Sequence, residues 1–181
     1  GDLVLDGCGL SPSAAEKLRA KVTHVVHCAA SIDFDLPIQE AATANIDSAL
    51  NMLAFAKSCP KLDRMVPVST AYVAPHPGGD GVCQAELVRL PRPAAELLAD
   101  IRNGVESKVL LSETGHPNTY TYTKCLTEHL LTAAAGDMSL TIVRPSIVSA
   151  SFERPFPGWI DSNAAFAGFV GLIGAGHLQI I

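Results

Sequence analysis

The sequence predicts an α/β fold, a parallel sheet wrapped by helices, and three observations carry that reading. Segments rich in β-branched and apolar residues recur at 22–28, 63–69 and 140–144. Helical patterns lie between them, so strands and helices alternate along the chain, as a parallel sheet requires. The third observation is the stretch Asn118-Thr119-Tyr120-Thr121-Tyr122-Thr123-Lys124, which opens a helix between the last two strands. Tyr120 and Lys124 stand four apart there, so both side chains project from one face.

Composition sets the class. The chain has 181 residues, 48% of them hydrophobic and 17% charged, which argues for a globular interior and against disorder. A net charge of −5 leaves no basic footprint, so no nucleic-acid partner is expected. The cysteines at 8, 28, 59, 83 and 125 form no CxxC pair and read as reduced thiols. The most apolar run, Ala164 to Ala175, falls short of the roughly 20 residues a membrane-spanning helix needs.

Gly1 to Asp6 reads as the end of a strand entering a turn. Ser11-Pro12 supplies an N-cap and a proline at the first helical position, opening a helix to about Ala20. Val22 to Cys28 is apolar enough for a strand covered on both faces, and it ends in the small residues Ala29, Ala30 and Ser31. After Pro37 a long helix runs from Ile38 to about Lys57, with an apolar stripe of Ala41, Ile46, Leu50, Leu53 and Ala54. Asp63 to Ser69 forms the next strand, in which Pro67 is awkward because it cannot donate to a ladder.

From Val73 to Gly115 the chain reads as irregular, with Pro75, Pro77, Gly78, Gly79 and Gly81 marking a turn-rich insertion and one helix from Ala94 to about Arg102. The helix bearing Tyr120 runs to about Ala135, where Gly136 stops it, and Leu140 to Arg144 is a strand ending at Pro145. The expected division is a first part at 1–150 and the start of a second, smaller region at 151–181.

A free tyrosine titrates near pH ~10, and an ammonium close by favours the phenolate and lowers that value. Such a pair makes a tuned general acid for a developing alkoxide. Other constellations are weaker. His24, His27 and Cys28 share one strand with alternating faces, so strand packing is preferred over a metal centre and no metal is expected. Cys125 and His129 lie one helical turn apart but lack an orienting carboxylate or amide, so a packed thiol is the better reading. Asp33 and Asp35 read as a solvated loop. Trp159 fits either a pocket lining or an aromatic anchor on the sheet.

The motifs HCAASIDFD (27–35), VSTAYV (68–73), NTYTYTK (118–124), IVRPSIV (142–148) and PFPGWID (155–161) appear in an order that resembles the extended short-chain dehydrogenase/reductases. Within them the chain is similar to the fatty acyl-CoA reductase, or male-sterility, branch, and PFPGWID is its most specific mark. The resemblance implies a Rossmann-like, doubly wound parallel sheet, and it makes 1–150 a nucleotide-binding part and 151–181 the start of a substrate region. The family's first strand and phosphate-binding glycine turn would precede residue 1, so the chain reads as an internal fragment. Most of the acyl-binding C-terminal portion, with any membrane anchor, would follow residue 181.

By the same resemblance Tyr120 would be the proton donor, and Lys124 would both tune it and hold the nicotinamide ribose. Thr70 would hydrogen-bond the substrate carbonyl, with Ser69 as the alternative. Asp2 and Leu3 would contact adenine, Ala29 and Ala30 would let the cofactor approach the backbone, and Pro145, Ser146 and Ile147 would border the nicotinamide. Asn45 would be mainly structural. The implied reaction is NADPH-dependent reduction of a fatty acyl-CoA to aldehyde or alcohol. Two other readings stay open: a thioester-reductase module acting on carrier-bound chains, and a truncated, non-catalytic remnant.

Overall fold

The computed structural model describes residues 1–75, 84–162 and 166–178. Pro77, Gly78, Gly79, Gly81 and Cys83 of the turn-rich insertion lie outside the described residues. The chain divides into two compact units, Gly1–Arg144 and Pro145–Ile181.

In the first unit, strands β1 (His24–His27) and β2 (Arg64–Pro67) pair in parallel, with His24 opposite Arg64 and His27 opposite Pro67. A third parallel segment joins β2 through isolated bridges at Met65–Leu140 and Val68–Val143. The expected strand at 140–144 is therefore present only as bridges, and Pro67 is the reason. Met65 donates to the Ser139 carbonyl (2.9 Å) and Ser69 to the Val143 carbonyl (2.7 Å). The amide that belongs between them is that of Pro67, which has no hydrogen to give. Its carbonyl still accepts from Val143 at 3.1 Å, so proline removes one rung and leaves the ladder on both sides.

Helix boundaries follow local chemistry. Ser11 accepts from the Ala14 amide (3.3 Å) and opens α1 (Pro12–Arg19). The long helix from Ile38 to Lys57 is α2 (Ile38–Ala42), a π-helical turn (Thr43–Asp47) and α3 (Ser48–Lys57). Its buried side is Ala41, Ile46, Ala49, Leu53 and Ala56; Ala54, expected in the stripe, is exposed because the inward row of α3 runs through Ala49, Leu53 and Ala56. α4 (Ala94–Arg102) follows Pro93, and α5 (Ser107–Thr114) ends at Gly115, whose φ of 76° suits glycine. α5 replaces the irregular chain expected there.

α6 (Thr119–Ala135) begins at Asn118, whose side chain accepts from the Thr121 amide at 2.9 Å, and stops at Gly136. Residues 1–6 form a turn and not a strand end: Asp2 donates to the Cys8 carbonyl (2.9 Å) and Leu5 to that of Asp2 (3.2 Å).

Two apolar clusters organise this unit. Val25, Ala49, Leu53, Ala56, Met65 and Leu131 seat α3 and α6 on one face of the sheet. Ile38, Ile46, Leu97, Ile101, Leu110, Tyr122 and Leu126 join the long helix to α4, α5 and α6. The other face of β1 is open, with Val26 69% exposed, so the expected burial on both faces is replaced by a strict alternation of inward and outward residues. In the second unit, a loop closes through Ser151 to Trp159 (2.7 Å) and contains the cis Arg154–Pro155 bond; α7 (Phe166–Gly174) follows. Trp159 is 37% exposed. No described helix is long and apolar enough to cross a membrane.

Candidate active site

Parallel strands end at the same edge of their sheet, and the loops leaving that edge hold the candidate residues. β1 runs out through Cys28, Ala29 and Ala30; β2 through Val68, Ser69 and Thr70; and the first two turns of α6 bring Tyr120 and Lys124 to the same place.

Lys124 is only 6% exposed, and its Nζ donates to the Val68 carbonyl at 2.7 Å. Burial lowers its pKa, while the Cys28 and Glu128 charges oppose that shift. Tyr120 is half-buried beside Phe34, ring centroids 5.5 Å apart. Burial raises its pKa and a hydrogen bond with the Thr70 side chain works against the rise. The expected lowering by Lys124 is thus corrected: burial outweighs the other influences, and the ammonium is directed at Val68. Tyr120 therefore stays protonated at neutral pH and available as an acid.

Thr70 is buried and caps a single 3-10 turn (Ala71–Val73), its Oγ1 accepting from the Tyr72 amide at 3.3 Å. Ser69 is buried too, and its Oγ has no hydrogen-bond partner among the described residues. It borders a small cavity with His27, Lys124, Thr127 and Glu128. His27 is buried there, and burial with the Lys124 charge pulls its pKa down to about 4, so it is neutral.

Asn45 does more than the sequence suggested. From the π turn its Oδ1 accepts from the Ser31 amide (2.8 Å) and its Nδ2 donates to Thr123 Oγ1 (3.0 Å). One amide thus ties the loop after β1 to the residue beside Lys124. Thr119 Oγ1 adds a second tie to that loop by donating to the Leu36 carbonyl at 2.9 Å. Glu128, one turn beyond Lys124, is 2% exposed and accepts from Arg144 Nη2 at 2.5 Å and Nε at 2.8 Å. No sequence signal marked Glu128 or His116, whose partners lie 16 and 43 positions away.

The remaining candidates fall elsewhere. Asp2 is exposed and Leu3 half-buried; the Leu3 carbonyl accepts from Asn51 Nδ2 on α3 (2.9 Å), and no described contact joins this turn to Tyr120 or Lys124. Pro145, Ser146 and Ile147 begin the second unit, where Ser146 and Ile147 are exposed. Cys125 is fully buried with its thiol pushed up to about 12, and His129 meets the Val88 carbonyl (2.7 Å), so they form no nucleophile. Asp33 and Asp35 shape the exposed loop: the Asp35 amide donates to Asp33 Oδ1 at 2.9 Å. The described residues contain no cluster of metal-ligating side chains.

The residues present fit a nicotinamide nucleotide. Among the described residues Lys124 has Val68 as its one acceptor, which leaves further N–H groups for ribose hydroxyls. Ser69 adds a buried hydroxyl that has no partner among the described residues, and Ala29 and Ala30 leave the backbone approachable.

Fold and site together define a Rossmann-like nucleotide-binding α/β domain. The chain belongs to the NAD-binding family described as male sterility protein, whose model matches residues 1–181. It is 30% identical over 178 residues to mouse fatty acyl-CoA reductase 2, covering 95% of this chain and 34% of that protein. To chicken fatty acyl-CoA reductase 1 it is 32% identical over 179 residues, 94% of this chain and 33% of the relative. It therefore spans about a third of these relatives. Among solved structures, the terminal R domain of the myxalamid PKS-NRPS pathway superposes with a TM-score of 0.63 at 21% identity, over 97% of this chain and 39% of that one. Bordetella bronchiseptica WbmG in complex with NAD gives 0.56 at 21% identity, over 97% and 44%.

Proposed function

We propose that the complete protein reduces a fatty acyl-CoA thioester with NADPH, and that Thr70, Tyr120 and Lys124 serve the reaction. The observation that carries this reading is the placement of Thr70 just after β2 and Tyr120 in the first turn of α6, with Lys124 one turn deeper and donating to the carbonyl of Val68, two residues before Thr70. The nicotinamide, when bound, supplies the hydride. Thr70 and Tyr120 donate to the thioester oxygen as charge develops on it, and fixed donors in a partly dry site stabilise that charge. Collapse expels coenzyme A and leaves an aldehyde. In a second reduction Tyr120 gives its phenolic proton to the alkoxide, and its raised pKa keeps that proton in place beforehand. Lys124 orients the ribose, Ala29 and Ala30 admit the cofactor, Asp2 and Leu3 meet adenine, and Pro145 to Ile147 border the nicotinamide.

Tyr120→Phe in the complete protein tests this. Acyl-CoA reduction should fall about 10²- to 10⁴-fold, the usual reach of a positioned acid. NADPH affinity, read by fluorescence titration, should hardly change. Undiminished turnover would remove Tyr120 from the chemistry and the reductase reading with it.

A further inference from the structure

Thr70 lies on the loop after β2 and Tyr120 follows the loop that enters α6, with α4 and α5 between them in the chain, and the reductase reading needs both hydroxyls at one carbonyl oxygen. His116 joins the two loops. It is 4% exposed; its Nε2 lies 3.0 Å from the Val73 carbonyl and its Nδ1 2.9 Å from Thr114 Oγ1. Val73 closes the three-residue turn that Thr70 caps. Two positions after His116, Asn118 caps α6, and Tyr122 of that helix meets the imidazole edge-on at 5.5 Å.

A carbonyl only accepts, so Nε2 carries the proton on Val73. Nε2 keeps its proton whether or not Nδ1 is protonated, so the bond to Val73 survives either charge state of the ring, while Thr114 Oγ1, whose hydrogen also faces the Leu110 carbonyl at 3.0 Å, sits beside Nδ1. A turn of three residues has almost no slack. Moving Val73 moves Thr70.

We propose that His116 is a positioning residue, which sets the Thr70 hydroxyl against the Tyr120 hydroxyl by fastening Val73 to the entrance of α6. The inference rests on the reductase reading above. Misplacement of a catalytic group by about 1 Å can cost two orders of magnitude, so His116→Ala should lower kcat about 10- to 100-fold. NADPH affinity should stay within about two-fold, because Lys124 and its Val68 contact are untouched. His116→Gln keeps a donor for the Val73 carbonyl and should recover most of the rate.

The decisive measurement is the double-mutant cycle with Thr70→Ala. If His116 works through Thr70, adding His116→Ala to Thr70→Ala should change kcat less than about two-fold. A full, independent loss in the Thr70→Ala background would overturn the proposal, as would unchanged kcat in His116→Ala. Should His116→Ala fail to fold, His116→Phe, which fills the space but offers the Val73 carbonyl no donor, carries the same cycle. Amide exchange at Tyr72, whose N–H bonds Thr70 Oγ1, reads the strap without any activity and should quicken in His116→Ala. Tyr120→Phe run alongside separates the two failures: if it retains full activity the reductase reading falls, and if it is inactive while His116→Ala is normal only the His116 role falls.

Discussion

Helix α6 carries three threonines, a lysine and a glutamate between Thr121 and Glu128, and every one of those eight residues is buried. Helix α7 reads FAGFVGLIG, yet Phe169, Val170, Leu172 and Ile173 are 43–53% exposed. Hydropathy would assign them the other way round. The difference lies in partners. On α6, Thr123 and Thr127 donate to carbonyls one turn back at 2.8 and 2.7 Å, Lys124 donates to Val68, and Glu128 holds Arg144. A buried polar group that keeps its hydrogen bonds loses little, whereas apolar surface gains only when something covers it.

The sharpest way to break that balance is to remove one member of the buried pair. Glu128→Ala strips the Arg144 guanidinium of this carboxylate and takes away a charge that favours protonated Lys124. Breaking a buried ion pair typically costs about 3–5 kcal/mol. Chemical denaturation should show a loss of that size; less than about 1 kcal/mol would mean that the pair contributes as weakly as a surface bridge.

A smaller effect comes from pH. His27 faces the same cavity as Lys124 and Glu128 and has its pKa lowered to about 4, against about 6.5 for a free histidine. Below pH 6.5 the unfolded chain takes up the proton more readily than the folded one. Stability conferred by neutral His27 is thus lost as pH falls from about 6.5 to about 4, by an amount on the order of 2 kcal/mol. Carboxylates titrate over the same range, so the comparison is with His27→Gln. The drop in denaturation midpoint between pH 7 and pH 4.5 should be shallower in the variant, and equal drops would acquit the histidine.

These polar partners also mark where the sequence stops being legible. Helix starts and stops at Ser11-Pro12, Pro93, Asn118 and Gly136 are local chemistry, and they stand where the residues imply. α5 was missed although Gly115 closes it, because its start has no side-chain cap: Glu106 makes none. The broken third strand depends on Pro67 lying between two rungs, a matter of register that no single residue reveals. Spacing places Tyr120 and Lys124 on one helix face, but only the fold shows that the amine turns to Val68 and that burial governs the phenol. Asn45, His116 and Glu128 act across 16 to 78 positions of sequence, beyond the reach of any local pattern.

The smallest effect belongs to α7. Leu172 is 45% exposed, so Leu172→Gln removes little buried apolar area. Substitutions at such positions usually fall within about 0.5 kcal/mol. A denaturation midpoint unchanged within error would show that α7 draws no stability from its apolar side chains, in contrast to α6. A loss of about 2 kcal/mol, the value of a buried leucine, would mean that this face is covered in the complete protein. The two helices would then obey one rule, with burial supplied to α6 by the residues around it and to α7 by chain or partner surface beyond those described.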